Sequence, residues 1–220
     1  LNRDDLTAVI PDFIALAEET GLILPLGEWV LKEGCRLLGE WQKDEQLQHL
    51  KLSLNVSVRQ FQQPDFTDQV LSVIKQYDAP PERLTLELTE SLLLSDPEGT
   101  IKKMQQLQHL GISFALDDFG TGYSSLSYLK LLPLNTLKID IAFVRDLTLD
   151  MQARPIAGTI IALAESLGLG VIAEGVETEE QRLVLANLGC GIYQGFLFGR
   201  PSPVDVFTGT LKGQLTRSLD

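Results

Sequence analysis

Histidine, cysteine and positive charge are all scarce in this 220-residue sequence. It holds 2 histidines and 2 cysteines, few of the imidazole and thiolate ligands that a zinc centre draws on. Cys35 and Cys190 show no metal-ligand spacing and read as buried thiols in a reducing compartment. His49 and His109 each precede a strand-like stretch and read as helix-end or surface residues. Lys and Arg number 18 against 30 Asp and Glu, a formal net charge of -12. That balance argues against a nucleic-acid polymer or an anionic membrane as an electrostatic partner. An anionic substrate would need positive charge brought in, most simply as metal ions. No uninterrupted apolar run approaches the ~20 residues that span a bilayer, and no leader pattern opens the chain. A cytoplasmic domain is expected, either of a soluble protein or of a larger membrane-anchored one.

What is present is a sizeable core and an alternation of two periodicities. Hydrophobic residues make up 44% of the chain, and one domain over residues 1–220 is expected. Pro11 suits a first helical turn, Phe13, Ile14, Leu16 and Ala17 follow at helical spacing, and Gly21 stops them. Leu26 to Trp41 predicts a second amphipathic helix with Trp29, Val30, Leu37, Leu38 and Trp41 inward. Strands are predicted at Lys51–Val58, Leu84–Leu88 and Ile112–Leu116, in the run ending on Lys138, at Gly170–Ala173 and at Ile192–Phe198. Helices are predicted near 66–77, 99–110, 124–131 and 155–167, and after Thr178, whose capping-box partner is Gln181.

Each of the six strands carries or delivers a polar residue: Asn55, Glu87, the pair Asp117 and Asp118, Lys138, Glu174 and Gln194. Successive members lie roughly 20 to 36 residues apart, and a TIM barrel spends roughly 30 residues on each βα unit. Such spacing returns each residue to one rim, the C-terminal face where these barrels gather their chemistry. The expected class is therefore α/β, a TIM-type (β/α)8 barrel variant, here lacking its first two strands.

Asn55, Glu87, Asp117 and Asp118 are hard oxygen donors that suit Mg²⁺ or Mn²⁺. Two such ions activate a water and stabilise the oxygens of an in-line phosphodiester displacement. Adjacent aspartates at a strand tip point in different directions, able to serve two metals or bridge between them. Lys138 is a point charge for the attacking water or a phosphate oxygen, and Glu174 a second-metal ligand or general base. Singly, each has a plainer reading: a solvated Asp-Asp turn, a Lys138–Asp140 structural pair, capping or surface roles for Glu177 and Gln194. Together, on six consecutive strand tips, they point to a site.

The blocks FIALAEETGLI, LNVSVRQF, LTLELTES, FALDDFGTGYSSLSYLKLLPLNTLKID, VIAEGVETEEQ and YQGFLFGRP resemble those of the EAL-domain cyclic-di-GMP phosphodiesterases, from about Ile10 to Pro201. The resemblance implies a barrel whose first strand runs antiparallel and a reaction that opens cyclic di-GMP to linear pGpG with Mg²⁺ or Mn²⁺. It implies that Asn55, Glu87, Asp117 and Asp118 bind the metals, Lys138 contacts the catalytic water, and Glu174 is the base or a metal-linked carboxylate. Glu90 would hold the Gly120-Thr121-Gly122 loop in its active shape, while Glu177, Gln194 and Asp140 would support the site or contact substrate. The family's Glu-Ala-Leu motif, which supplies another ligand, is absent from these residues, and the expectation is that it lies upstream with the two uncounted strands. A degenerate receptor that binds cyclic di-GMP without cleaving it is the alternative. Fused sensory or cyclase (GGDEF) domains are expected neighbours, and the segment from Asp140 to about Pro155 is where a homodimer would associate.

Overall fold

The computed structural model describes residues 13–94, 96–120, 129–148 and 153–217. Pro11, residues 121 and 122 of the Gly-Thr-Gly turn and most of the predicted 124–131 helix lie outside them. Six strands form one parallel sheet in sequence order: β1 (Leu52–Asn55), β2 (Leu84–Thr89), β3 (Ser113–Phe119), β4 (Thr136–Ile139), β5 (Gly170–Ala173) and β6 (Ile192–Tyr193). Among the described residues, helices follow β1, β2, β4, β5 and β6 and return the chain, as parallel pairing requires. This is a curled half-barrel of the TIM type, with β1 and β6 as its two edges.

Register divides the strand residues into two rows. Leu84, Leu86, Leu88, Phe114, Leu116, Leu137, Ile139 and Ala173 are buried beneath the helical layer. Their neighbours fall on the concave face, where pairing aligns Asn55 with Glu87, Glu87 with Ala115, Ala115 with Thr136, and Lys138 with Ile172. Apart from Ile172, the residues named in that row are polar or small, unlike the branched apolar layers that fill a closed barrel.

Residues 13–20 are helical, Gly21 breaks them at φ 82°, and α2 runs Ile23–Trp41; we call the 13–20 helix α1. Its buried stripe is Leu31, Cys35, Leu38 and Trp41, each three or four residues from the last. Trp29 is 61% exposed, contrary to the inward placement expected from the sequence. It shares its face with Glu33 and Arg36, one turn and two turns on, and Arg36 pairs with both Glu33 and Glu40.

The strand predicted over Lys51–Val58 ends at Asn55. Ser57 accepts a hydrogen bond from the Gln60 N–H and caps α3 (Val58–Phe61), so the chain turns into a helix where alternation alone would continue it. Helix α4 (Phe66–Tyr77) matches its prediction, and α5 (Pro97–Gln108) begins two residues early because Asp96 caps it. Phe61, Phe66 and Phe114 make the ring contacts that seat α3 and α4 on the sheet. After β4 come α6 (Ile141–Arg145) and α7 (Ala153–Ser166), and after β5 comes α8 (Glu179–Asn187), with Thr178 and Gln181 forming the predicted capping box. The final helix α9 (Val204–Arg217) returns to the end of α2, through a Trp41–Phe207 ring contact and a Lys212–Asp44 ion pair. Cys35 and Cys190 are free and buried, and burial pushes both thiols up.

Candidate active site

Lys138 anchors the site. It lies at the C-terminal end of β4 with 2% of its surface exposed, a position an ammonium holds only when paired. Its Nζ lies 2.5 Å from Glu87 Oε2, 2.6 Å from Glu174 Oε1 and 3.1 Å from Asp117 Oδ1. Three donors meet three carboxylates contributed by β2, β3 and the end of β5. Burial alone would lower the Lys138 pKa, but the hydrogen bonds to Glu174 and Glu87 and the charges of Glu87 and Asp117 hold it above the ordinary lysine value. The sequence-based pairing of Lys138 with Asp140 is not the one formed: Asp140 caps α6, accepting from the Ala142 N–H at 2.7 Å.

A bulge in β3 brings the two aspartates together. The register with β4 shifts between Leu116 and Phe119, and Asp118 takes a left-handed conformation at φ 54°. In a regular strand adjacent side chains face opposite sides of the sheet; the bulge re-aims one of them. An oxygen from each of Asp117, Asp118 and Glu174 consequently lies within 4.8 Å of the other two. The Asp118 N–H donates to Asp117 Oδ1 at 3.0 Å and helps fix the pair.

Asp118 stands beside the three carboxylates that meet Lys138, and the crowding makes two of these groups, Asp118 and Glu174, costly to ionise. Burial, the Asp117 charge and a carboxyl–carboxyl hydrogen bond with Asp140 push Asp118 up to about 6. Burial, opposed by Lys138 and reinforced by Asp117 and Glu87, pushes Glu174 up to about 7. A divalent cation on Asp117, Asp118 and Glu174 relieves this crowding with the hard oxygen donors that Mg²⁺ and Mn²⁺ prefer, so these residues fit such an ion.

A pH dependence follows. Below about pH 6 a cation must displace protons from both raised carboxyls, between about 6 and 7 chiefly from Glu174, and above 7 from neither. Mn²⁺ affinity should therefore rise with pH up to about 7 and then level, with calorimetry in buffers of differing ionisation enthalpy reading the released protons. The same two groups act oppositely on the metal-free fold. Their folded pKa values exceed their ordinary ones, so the native state binds more protons and their contribution to stability declines as pH rises from about 4 to about 7. A Mn²⁺ affinity independent of pH between 5.5 and 7.5 would contradict both assignments.

The other predicted residues stand around this centre. Asn55 ends β1 and is paired in register with Glu87. Glu90 opens the short helix Glu90–Leu94, and its Oε2 is buried without a hydrogen-bond partner among the described residues; residues 121–122 of the loop it was expected to hold lie outside them. Glu177 is exposed, its N–H donating to Gln181 Oε1 at 2.8 Å. Gln194 is exposed and lies beyond β6, which stops at Tyr193 where a strand to Phe198 was expected. The turn after it, with Gly195, Phe196 and Arg200, escaped the sequence reading except as the end of a strand.

The description "EAL domain" is that of the family model matching residues 1–201. The bifunctional diguanylate cyclase/cyclic di-GMP phosphodiesterase MucR of Pseudomonas aeruginosa is 43% identical over 193 residues, 88% of this chain and 28% of that protein. The cyclic di-GMP phosphodiesterase PdeR of Escherichia coli is 38% identical over 207 residues, 94% of this chain and 31% of that protein. Among solved structures, the MucR phosphodiesterase in complex with c-di-GMP superposes with a TM-score of 0.86 at 42% identity, covering 90% of this chain and 79% of that one. The chain thus spans less than a third of the length of these curated relatives. No helix among the described residues is long and apolar enough to cross a membrane.

Proposed function

The chain belongs to the EAL domain family, and from that premise we propose that it is the catalytic part of a metal-dependent phosphodiesterase that hydrolyses cyclic di-GMP to linear pGpG. The observation that carries the reading is the convergence of Asp117, Asp118 and Glu174 around Lys138. Asp117, Asp118 and Glu174 would hold a divalent ion, with Glu87 and Asn55 beside them for a second. Bound there, such ions supply Lewis-acid polarisation of the phosphoryl oxygens and a more acidic water.

The chain's own groups account for the proton. Water attacks phosphorus as the P–O3′ bond breaks; the water's proton passes to Glu174 and the departing 3′ oxygen takes up one from solvent. Glu174 suits the task by position: Lys138 Nζ holds its carboxylate at 2.6 Å beside the Asp117 and Asp118 oxygens, where the attacking water would lie. Lys138, fixed by three carboxylates, holds Glu174 in place and keeps a positive charge beneath the reacting phosphate. Glu90 shapes the loop after Gly120, and Glu177, Gln194 and Asp140 line the approach.

The test is incubation of the full-length protein with cyclic di-GMP and Mn²⁺ and chromatography of the products. The expected result is pGpG, lost on chelation and restored by added Mn²⁺. Tight binding without turnover would replace the enzyme with a receptor, and turnover unaffected by chelation would remove the metal.

A further inference from the structure

The turn after β6, hydrogen-bonded to the residues that flank Glu174, sets an aromatic ring and a guanidinium together, and we infer that Phe196 and Arg200 form a stacking wall for a purine base of the bound nucleotide. The inference rests on the cyclic-dinucleotide reading above and adds a specificity determinant to it.

The turn is built onto the loop that carries Glu174. The Gln194 N–H donates to Ala173 O at 2.8 Å, the Val176 N–H to Gln194 O at 3.0 Å, and the Leu197 N–H to Val176 O at 3.0 Å. Residues 194–197 therefore wrap around the peptide of Val176, two residues past Glu174. Such closeness needs glycine at 195, where a Cβ would lie 2.2 Å from Val176 O. With position 195 turned against Val176, its neighbour Phe196 stands on the outer side of the turn, 40% exposed.

The two phenylalanines of this turn are used differently. Phe198 stacks on Tyr193, ring centroids 5.9 Å apart and planes 10° from parallel, which gives it a structural partner. Phe196 instead has the Arg200 guanidinium carbon 4.3 Å from its ring centroid. A planar cation over an aromatic face, at the margin of a site, is the surface on which purines stack. Lys138 cannot supply this contact, because it is buried and its donors are taken by Glu87, Asp117 and Glu174.

Steady-state kinetics on cyclic di-GMP with Mn²⁺ tests the wall, using the full-length protein and its Phe196→Ala, Phe196→Leu, Phe196→Trp and Arg200→Ala variants. Loss of one base–aromatic stack is expected to raise KM about tenfold in the Ala and Leu variants with kcat within about twofold. Trp should restore the wild-type KM, because it keeps a π face, and Arg200→Ala should raise KM by a smaller factor. An active wild type whose KM is matched by the Phe196→Leu and Arg200→Ala variants overturns the wall and leaves the phosphodiesterase reading standing. A fall in kcat together with thermal stability, unrescued by Trp, makes Phe196 a packing residue and also overturns it. A wild type that neither binds nor cleaves cyclic di-GMP removes both readings.

Discussion

Glu174→Gln is expected to lower kcat on cyclic di-GMP by about a thousandfold, within the range general-base removal produces, while leaving the fold nearly intact. The amide has the carboxylate's size and retains an oxygen for Lys138, whose Nζ lies 2.6 Å from Glu174 Oε1. What disappears is the proton acceptor and one negative charge. The chemistry should fail on two counts: water loses its base, and the group of Asp117, Asp118 and Glu174 oxygens within 4.8 Å of one another loses a metal ligand. The fold should not suffer in proportion, because removing a carboxyl that burial and like charges push up to about 7 relieves repulsion. The expected pattern is unchanged circular dichroism, a melting temperature within a few degrees of wild type, weakened Mn²⁺ binding and almost no pGpG. A variant with more than a tenth of wild-type kcat would exclude Glu174 as the acceptor.

Much of this site was legible in the sequence because the features that place it are local. Glu87 lies inside a short strand bounded by the Pro80-Pro81 turn, and Glu174 directly follows a strand that starts after Gly168; neither depends on distant contacts. Thr178 and Gln181 satisfy each other's backbone across three residues, so their capping box needs no tertiary partner. Family resemblance supplied the roles; alternation and spacing supplied the common rim. The misplacements have equally physical causes. The Asp118 bulge exists because β3 shifts register on β4, a relation between strands that no single-strand pattern contains. Three carboxylates from three elements converge on Lys138 through the same lateral pairing, whereas the local reading offered it Asp140, two residues away. Trp29 looked inward by hydrophobicity alone, and only the ion pairs of Arg36 with Glu33 and Glu40 reveal that its face is the charged one. The end of β6 was overextended because Phe196, Leu197 and Phe198 read as strand until Val176 turns the chain.

Lys138→Met should be the most damaging single substitution to the metal-free fold. Methionine fills comparable volume, so the loss is one of charge more than of packing. Lys138 Nζ is the ion-pair partner of Glu87, Glu174 and Asp117, whose side chains are 7%, 17% and 12% exposed, and without it these carboxylates are left uncompensated. Breaking a buried pair by removing one partner costs about 3–5 kcal/mol. The ammonium is held above its ordinary pKa, so its contribution is fully present through the neutral range and is lost only as pH rises through that elevated value. Glu174, which burial already pushes up to about 7, can however escape by taking up a proton. The deficit should therefore be largest near pH 8 and shrink toward pH 5, the direction that separates lost charge compensation from lost packing. A divalent cation offers a second escape, so Mn²⁺ should raise the denaturation midpoint of the variant more than that of wild type. Urea unfolding at pH 5 and pH 8, with and without Mn²⁺, reads all three effects. A deficit independent of pH would mean that Lys138 acts through packing, and a variant as stable as wild type at pH 8 would mean that the ammonium does not offset the carboxylates around it.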